Sequence, residues 1–346
     1  MVEKRVGISW EDNERVFDNH CTGGVPGNRT TPIVVAIASA AGLVIPKTLS
    51  RAITSPAGTA DTLDALFDVQ FEISEMKRIV SEVGACLVWG GAIDVGLADD
   101  VMNRIERALN LDREGQLVAS VLSRKIAAGS THVVIDMPVG KTAKVKTGPE
   151  ANRLAGLFAR VGKACGIEVR CVFTEGSQPV GSGIGPVQEA IDVLAVLKLD
   201  EDAPIDLREK ALLLSANLID MAASCGIETA TEKTRDILDS GLAWKQFQKI
   251  ADAQGGMKDL EEPTYASIQA SPEGGNVKAI DNRRLTRLAK LAGAPVDKVA
   301  GLRLYVSVGE TVNPGDPLFT LFSASSGELK YALDYYDQNN DLIVIG

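Results

Sequence analysis

The sequence predicts an α/β fold: a mixed, largely parallel sheet flanked by helices, followed by a small C-terminal α+β module of barrel-sandwich character. Three observations predict it. First, short β-branched or apolar runs alternate with stretches of helical period, the pattern of strand, loop, helix and strand. Second, alanine, glycine and valine dominate while aromatics make up 5%, which suits helices packed closely on sheets. Third, the composition shifts near Gln254–Pro263, and only short strands and tight turns follow. A chain of 346 residues is long enough for two domains, and we place the boundary at that shift: 1–262 and 263–346.

The elements are read in chain order. Residues 32–46 (PIVVAIASAAGLVIP) read as a helix of small and β-branched residues, ended near Gly42 and Pro46. DTLDALF at 61–67 opens a second helix with Asp61 as its N-cap. GACLVW at 84–89 is a short buried strand. Residues 98–109 and 115–128 are helical by period, so 95–128 forms a helical piece beside the sheet. THVVIDMPVG at 131–140 and GIEVRCVFT at 166–174 are β-branched runs, with an amphipathic helix over 150–165 between them. GSQPVGSGIGP at 176–186 is glycine-rich, but its flanking prolines spoil a strand-to-helix dinucleotide motif, so it reads as a turn at the sheet end. Beyond the boundary, 276–281, 303–308 and 318–322 are short strands. VGETVNPGDPLFTL at 308–321 resembles the turn of a biotinyl or lipoyl carrier module. No exposed lysine sits at its tip, so it reads as a structural β module.

The bulk numbers exclude several functions. A net charge of −10 argues against nucleic acid as a bulk partner, since a phosphate backbone needs a basic surface. It leaves room for one bound nucleotide. The five cysteines are odd in number and lack a C-x-x-C spacing, which fits a reducing compartment and no zinc site of the usual spacing. The first twenty residues are charged and lack an apolar core, unlike a signal peptide. The apolar stretch Ile33–Ile45 is broken by Ser39 and Gly42 and is too short for a bilayer. The expectation is a cytoplasmic protein with no metal and no membrane partner.

Two segments carry candidate chemistry. In Asp18-Asn19-His20-Cys21-Thr22-Gly23-Gly24-Val25-Pro26-Gly27-Asn28-Arg29-Thr30-Thr31, three glycines let the backbone approach a ligand, and an apolar helix follows at once. The free N–H groups of its first turn make an anion site, and Arg29 and the threonine hydroxyls add donors. A plain glycine turn capping a core helix would look the same. The second segment, Ser50-Arg51-Ala52-Ile53-Thr54-Ser55-Pro56-Ala57-Gly58-Thr59-Ala60-Asp61, is again rich in hydroxyls and precedes a helix. Two such loops in one half of the chain favour the anion reading. His20 beside Gly23-Gly24 can donate to a carbonyl or a phosphate, whereas His132 opens a β-branched run and reads as structural. Asp112 is placed to cap a helix on which Ser120 and Arg124, four apart, share a face that could grip a base or a ribose.

HCTGGVPGNRTTPIVVAIASAAGLVIPKT, SRAITSPAGTADTLDAL, LDREGQLVASVLSRKIAAGSTHVVIDMPVG, GSQPVGSGIGP and AIDNRRLTRLAKLAGAP resemble the thymidine/pyrimidine-nucleoside phosphorylase family over nearly the whole chain. The resemblance is to its type 2 branch, which holds AMP phosphorylases and bacterial thymidine phosphorylase-like proteins. It implies phosphorolysis with inorganic phosphate as co-substrate and no cofactor. It also implies roles: Asp112 as the acid that protonates the leaving base in AMP phosphorylases, and His20 at the base or phosphate. Gly24, Thr31, Ser50, Arg51, Ala52, Ile53, Thr54, Ser55 and Thr59 then hold phosphate and nucleotide, with Ser120, Arg124 and Lys144 completing the nucleoside contacts. Asn19 and Arg124 stand where relatives usually carry lysines, and Leu49 where a hydroxyl is common. Relatives carry further helices ahead of a segment like MVEKRVGISW, and those helices build half of the base pocket and much of a homodimer contact. The leading expectation is a pyrimidine (deoxy)nucleoside phosphorylase acting on a substrate such as thymidine. The alternatives are a nucleoside 5′-monophosphate phosphorylase giving ribose 1,5-bisphosphate, and a catalytically impaired phosphate- or nucleotide-binding remnant.

Overall fold

The computed structural model of the chain describes residues 8–10, 15–93 and 113–346. The helix read over 98–109, and Asp112, lie outside the described residues.

Strand β1 (Phe17–Cys21) leads through the glycine turn into helix α1 (Thr30–Ala40), followed by β2 (Ile45–Leu49), α2 (Thr59–Asp64), α3 (Ile73–Val83) and β3 (Ala85–Trp89). Helix α4 (Arg113–Ala127), strand β4 (His132–Val139), helix α5 (Gly148–Ala164) and strand β5 (Glu168–Glu175) continue the alternation. Strands β1–β4, β4–β5 and β2–β3 all pair in parallel. The two short sheets are stitched together where the Phe17 N–H donates to the Val44 carbonyl at 2.9 Å and the Lys47 ammonium donates to the Asn19 carbonyl at 2.5 Å. The strands therefore run as one parallel array, with their C-terminal ends on one side.

The structure moves three sequence boundaries. Residues 18–21, read as part of the glycine-rich segment, belong to β1, with Asp18 and Asn19 buried and His20 and Cys21 half-buried. Helix α1 stops at Ala40 because Gly42 turns the chain at φ +90°, and Ile45–Leu49 pairs with β3 instead of extending the helix. Helix α2 begins at Thr59 behind Gly58. Asp61 is its third residue, and its carboxylate accepts the Gly58 N–H at 2.9 Å.

The sequence reading assigns no element to 187–253, and that segment is helical. After β6 (Gly183–Ile184) come α6 (Pro186–Lys198), α7 (Ile205–Ala223), α8 (Ile227–Asp239) and α9 (Leu242–Ala253). The signals were Pro186 at a first helical position and Gly226 and Gly241 at helix starts. These four helices pack around α1, whose residues Pro32 to Ser39 are all buried. A helix that is apolar all round belongs in a core, and the alanines of α1 let its neighbours approach closely. Its N-terminus is thereby fixed at the edge of the sheet. Among the described residues no single helix is long and apolar enough to cross a membrane.

The rest of the chain is β7 (Tyr265–Ala270), β8 (Gly275–Ile280), α10 (Asn282–Leu291), β9 (Gly301–Leu304), β10 (Thr311–Val312), β11 (Pro317–Ser323), α11 (Ser326–Asp337) and β12 (Ile343–Ile345). One antiparallel sheet runs β6-β9-β11-β7 and another β10-β8-β12. Their shared core includes Ile184, Val277, Leu302 and Phe319. Strand β9 lies at 301–304, ahead of the 303–308 read from sequence.

Candidate functional site

The predicted residues gather at the C-terminal ends of β1, β2 and β4, where parallel sheets present ligand sites. Two glycines shape the first loop. Gly23 and Gly24 have φ of +84° and +93°, and a Cβ on Gly24 would lie 2.4 Å from the backbone nitrogen of Lys144. Only glycine fits. The Lys144 segment reaches this position by folding back after β4, with the Gly140 N–H donating to the Val145 carbonyl at 3.1 Å. Behind the turn, α1 starts at Thr30 with no side-chain cap and no acidic residue in its first turn, which suits an anion. Thr31 accepts from the Asn19 amide at 3.2 Å.

The second loop is held by one carboxylate. Asp61 accepts the Ala52 N–H at 2.7 Å, the Gly58 N–H at 2.9 Å and the Arg51 guanidinium at 3.0 Å. The loop closes so tightly that a Cβ on Gly58 would sit 2.4 Å from the Ser50 carbonyl. Ile53 and Thr54 are exposed at its tip, and the Ser55 hydroxyl donates to the Ala57 carbonyl at 2.9 Å. The two guanidiniums of these segments face protein carboxylates. Arg51 is held by Asp61 and Asp64, and Arg29 pairs with the buried Glu189 and donates to Thr59 at 2.7 Å. Burial pushes the Glu189 carboxyl above its ordinary value, against the pull of Arg29.

Helix α4 joins the loops. Arg124 donates to the Ser50 hydroxyl at 3.1 Å, and Ser120 lies 3.5 Å from the same guanidinium. His20 sits between. Burial holds its imidazole well below its usual range, and the charges of Lys125, Lys47, Arg124 and Lys144 push it further down. It is uncharged at neutral pH and can both donate and accept.

Beneath His20 lies a buried cluster. Asp18 is fully buried and accepts from Lys47 at 2.7 Å, Lys125 at 2.8 Å and Ser130 at 3.2 Å. Burial alone would raise its carboxyl, but Lys125 and Lys47 together hold it below the usual value. Burial also pushes the Lys125 ammonium down to about 7, partly offset by Asp18. Two amines share one carboxylate at the Asp18–Asn19 part of β1, so the cluster carries an excess positive charge that is partial near pH 7, where Lys125 loses its proton. A second buried group locks the turn from the other side. Asp136 accepts from Thr174 at 2.5 Å and Asn28 at 3.1 Å, with the Lys210 ammonium at 3.1 Å. Cys21 accepts the Gly23 N–H at 3.3 Å and the Asn28 amide at 3.2 Å. Burial, reinforced by Asp136, pushes its thiol up to about 12, so it is no nucleophile.

The structure thus brings together His20, Gly24, Thr31, Ser50, Ser120, Arg124 and Lys144. Arg51, Ala52 and Thr59 are built into the second loop. Ile53, Thr54 and Ser55 form its tip, and Asp112 lies outside the described residues. The sequence reading missed the roles of Lys47, Lys125, Asp136, Lys210 and Glu189. Lys47 carried a signal, because a lone charge within the apolar run of β2 needs a buried partner.

Comparison with known proteins gives concordant matches. Residues 13–244 match the family described as "Glycosyl transferase family, a/b domain", and residues 276–342 match "Pyrimidine nucleoside phosphorylase C-terminal domain". A protein of Ralstonia nicotianae named "Putative thymidine phosphorylase" is 52% identical over 335 residues, covering 97% of this chain and 66% of its own length. A protein of Maricaulis maris with the same name is 52% identical over 345 residues, covering 100% of this chain and 66% of its own length. The chain therefore spans just under two thirds of the length of these relatives. Among solved structures, anthranilate phosphoribosyltransferase of Thermus thermophilus matches with a TM-score of 0.54 at 18% identity, covering 71% of this chain and 79% of that one. The enzyme of that name from Saccharomyces cerevisiae matches with a TM-score of 0.54 at 16% identity, covering 70% and 74%. These two likenesses concern the fold, a mixed α/β architecture with a parallel sheet flanked by helices.

Proposed function

The chain belongs to the glycosyl transferase family by its a/b domain, and on that premise we propose that it carries out phosphorolysis of a pyrimidine (deoxy)nucleoside such as thymidine. Phosphate attacks the anomeric carbon, the bond from that carbon to the base nitrogen breaks, and (deoxy)ribose 1-phosphate and free base result. The observation that carries the reading is the Arg124–Ser50 hydrogen bond beside His20, which ties the second anion-type loop to the helix bearing Ser120. Each half of the reaction then has its groups.

Phosphate sits on the Gly23-Gly24 turn, facing the first turn of α1 and the Thr31 hydroxyl. The excess charge of the Lys47–Asp18–Lys125 cluster favours it from below without occupying the pocket. The base lies against Ser120, Arg124 and His20. As the glycosidic bond breaks, negative charge develops on the base, and Arg124 and the neutral imidazole N–H are placed to stabilise it. The loop Ser50–Asp61 spans the space between and positions the sugar. Asp112 supplies the acid where the leaving base needs a proton.

Lys144 favours a second substrate class. Its ammonium lies against Gly23, where it adds a cation suited to a further phosphate group, as in a nucleoside 5′-monophosphate. A panel of thymidine, uridine, AMP and CMP, each assayed with and without orthophosphate for release of free base, tests both readings. Phosphate-dependent release from thymidine supports the first, and release confined to AMP or CMP supports the second. No release from any of the four, at high protein concentration, sinks both. Calorimetric binding of orthophosphate in that case leaves a binding protein without turnover.

A further inference from the structure

A cleft of about 310 Å³ separates the Ser50–Asp61 loop from the segment 295–298, which lies more than two hundred residues later in the chain. That segment is firmly seated. The Val187 N–H donates to the Lys298 carbonyl at 3.1 Å, and the neighbouring Val299 packs against Ala65 and Val187. Its side chain at 298 continues into a line of alternating charges. The Lys298 ammonium donates to the Asp64 carbonyl at 3.2 Å and lies 3.5 Å from the Asp64 carboxylate. That carboxylate holds Arg51 at 3.2 Å, and the other arm of Arg51 holds Asp61 at 3.0 Å. Asp61 in turn fixes the N–H groups of Ala52 and Gly58, one on each side of the exposed tip.

We infer that Lys298 is a positioning residue: through Asp64, Arg51 and Asp61 it sets the conformation of the Ser50–Asp61 loop. The inference rests on the reading of that loop as the substrate side of the site. Two features separate it from ordinary surface pairing. Lys298 satisfies the last carbonyl of α2, a group with no partner inside the helix. Its side chain is 38% exposed, so an isolated pair there would add little to global stability. Its effect falls on local order, because the relay ends on the Ala52 and Gly58 backbone N–H groups that flank the exposed tip of the loop.

The test compares the full chain with Lys298→Met and Lys298→Arg, reading amide hydrogen exchange over 51–58, orthophosphate affinity by calorimetry, and steady-state kinetics. Lys298→Met is expected to speed exchange over 51–58 by roughly tenfold, the scale of one lost charge-assisted hydrogen bond. The KM values should rise by roughly three- to tenfold with kcat within about twofold, the pattern of lost uniform binding. Lys298→Arg should restore most of both effects, and the melting temperature should move little in either variant. Unchanged exchange over 51–58 in Lys298→Met overturns the inference, as does a KM change that arginine fails to rescue. If the unmodified protein turns over no nucleoside while exchange over 51–58 still depends on Lys298, the phosphorolysis reading falls and the relay stands.

Discussion

Asp18→Asn preserves the shape of a fully buried side chain and deletes its charge. Lys47 and Lys125, whose side chains are 5% and 2% exposed, then face each other with no anion between them. Removing one partner of a buried ion pair costs about 3–5 kcal/mol; Lys125, already pushed down to about 7 with Asp18 beside it, sheds its proton, so Lys47 is the cation left stranded. At roughly 2 °C per kcal/mol for a chain of this size, the melting temperature should fall by about 6–10 °C. Lys125→Met is the informative contrast, because it removes the excess cation and leaves the Asp18–Lys47 pair complete. A volume-conserving apolar replacement of this kind costs less than about 1.5 kcal/mol. The two variants also differ in pH dependence. Burial lowers the Lys125 ammonium from 10.5 to about 7 in the folded protein, so between those values the unfolded chain binds one proton more. Stability therefore rises with pH across that window, by up to roughly 1.4 kcal/mol per pH unit, and the gain is absent below it. Urea unfolding of the three proteins at pH 6 and pH 9 reads all of this. Lys125→Met should flatten the rise between the two pH values, and Asp18→Asn should be the least stable protein at pH 6. Equal losses in the two variants at pH 6, or an undiminished rise in Lys125→Met, would refute the reasoning.

Two further outcomes bear on the site. Gly24→Ala places a Cβ 2.4 Å from the Lys144 nitrogen at a φ of +93°. A left-handed conformation costs an L-residue roughly 1–2 kcal/mol before any clash is counted, so the orthophosphate Kd should rise at least about tenfold by calorimetry. An unchanged Kd would remove the turn from the anion site. The second concerns His20, whose imidazole is held well below 6.5 by burial and then by Lys125, Lys47, Arg124 and Lys144. Its ring-proton NMR resonance, assigned with a His132→Gln variant, should stay flat between pH 6 and 8. Because the folded value lies below the unfolded one, its contribution to stability is lost as pH falls from 6.5 toward the folded value. A titration midpoint near 6.5 would contradict the cationic surroundings described for it.

The α/β class was legible because β-branched runs and helical periods alternate along residues 84–174, and each period depends on local sequence alone. The glycine turn was legible for a related reason: only glycine tolerates the left-handed backbone that Gly23 and Gly24 adopt. The helices of 186–253 were harder. Helix α7 mixes buried Lys210 and Asn217 among leucines and alanines, so its polar residues blur the periodic stripe. The strand Phe17–Cys21 was hidden because FDNHC is polar for a buried strand. Its side chains are satisfied from far away, Asp18 by Lys47 and Lys125 and Asn19 by Thr31, and pairs so distant in sequence leave no local trace. Arg29 and Arg51 show the complementary limit. Sequence marks a guanidinium near an anion-type loop, but only the fold reveals that Glu189, Asp61 and Asp64 already face it.

Strand β6 has a consequence for how such a chain can be divided. Gly183 and Ile184 belong by position to the first half, yet they form the outer strand of the sheet made by β9, β11 and β7. Ile184 is fully buried in the core of that sheet beside Leu302. A gene split near residue 262 would leave the second fragment with a bare ladder of N–H and carbonyl groups along β9 and a hole where Ile184 belongs. Bare edges of this kind recruit strands from other molecules. The two halves are therefore expected to travel together through recombination, or to reassemble by recapturing those two residues.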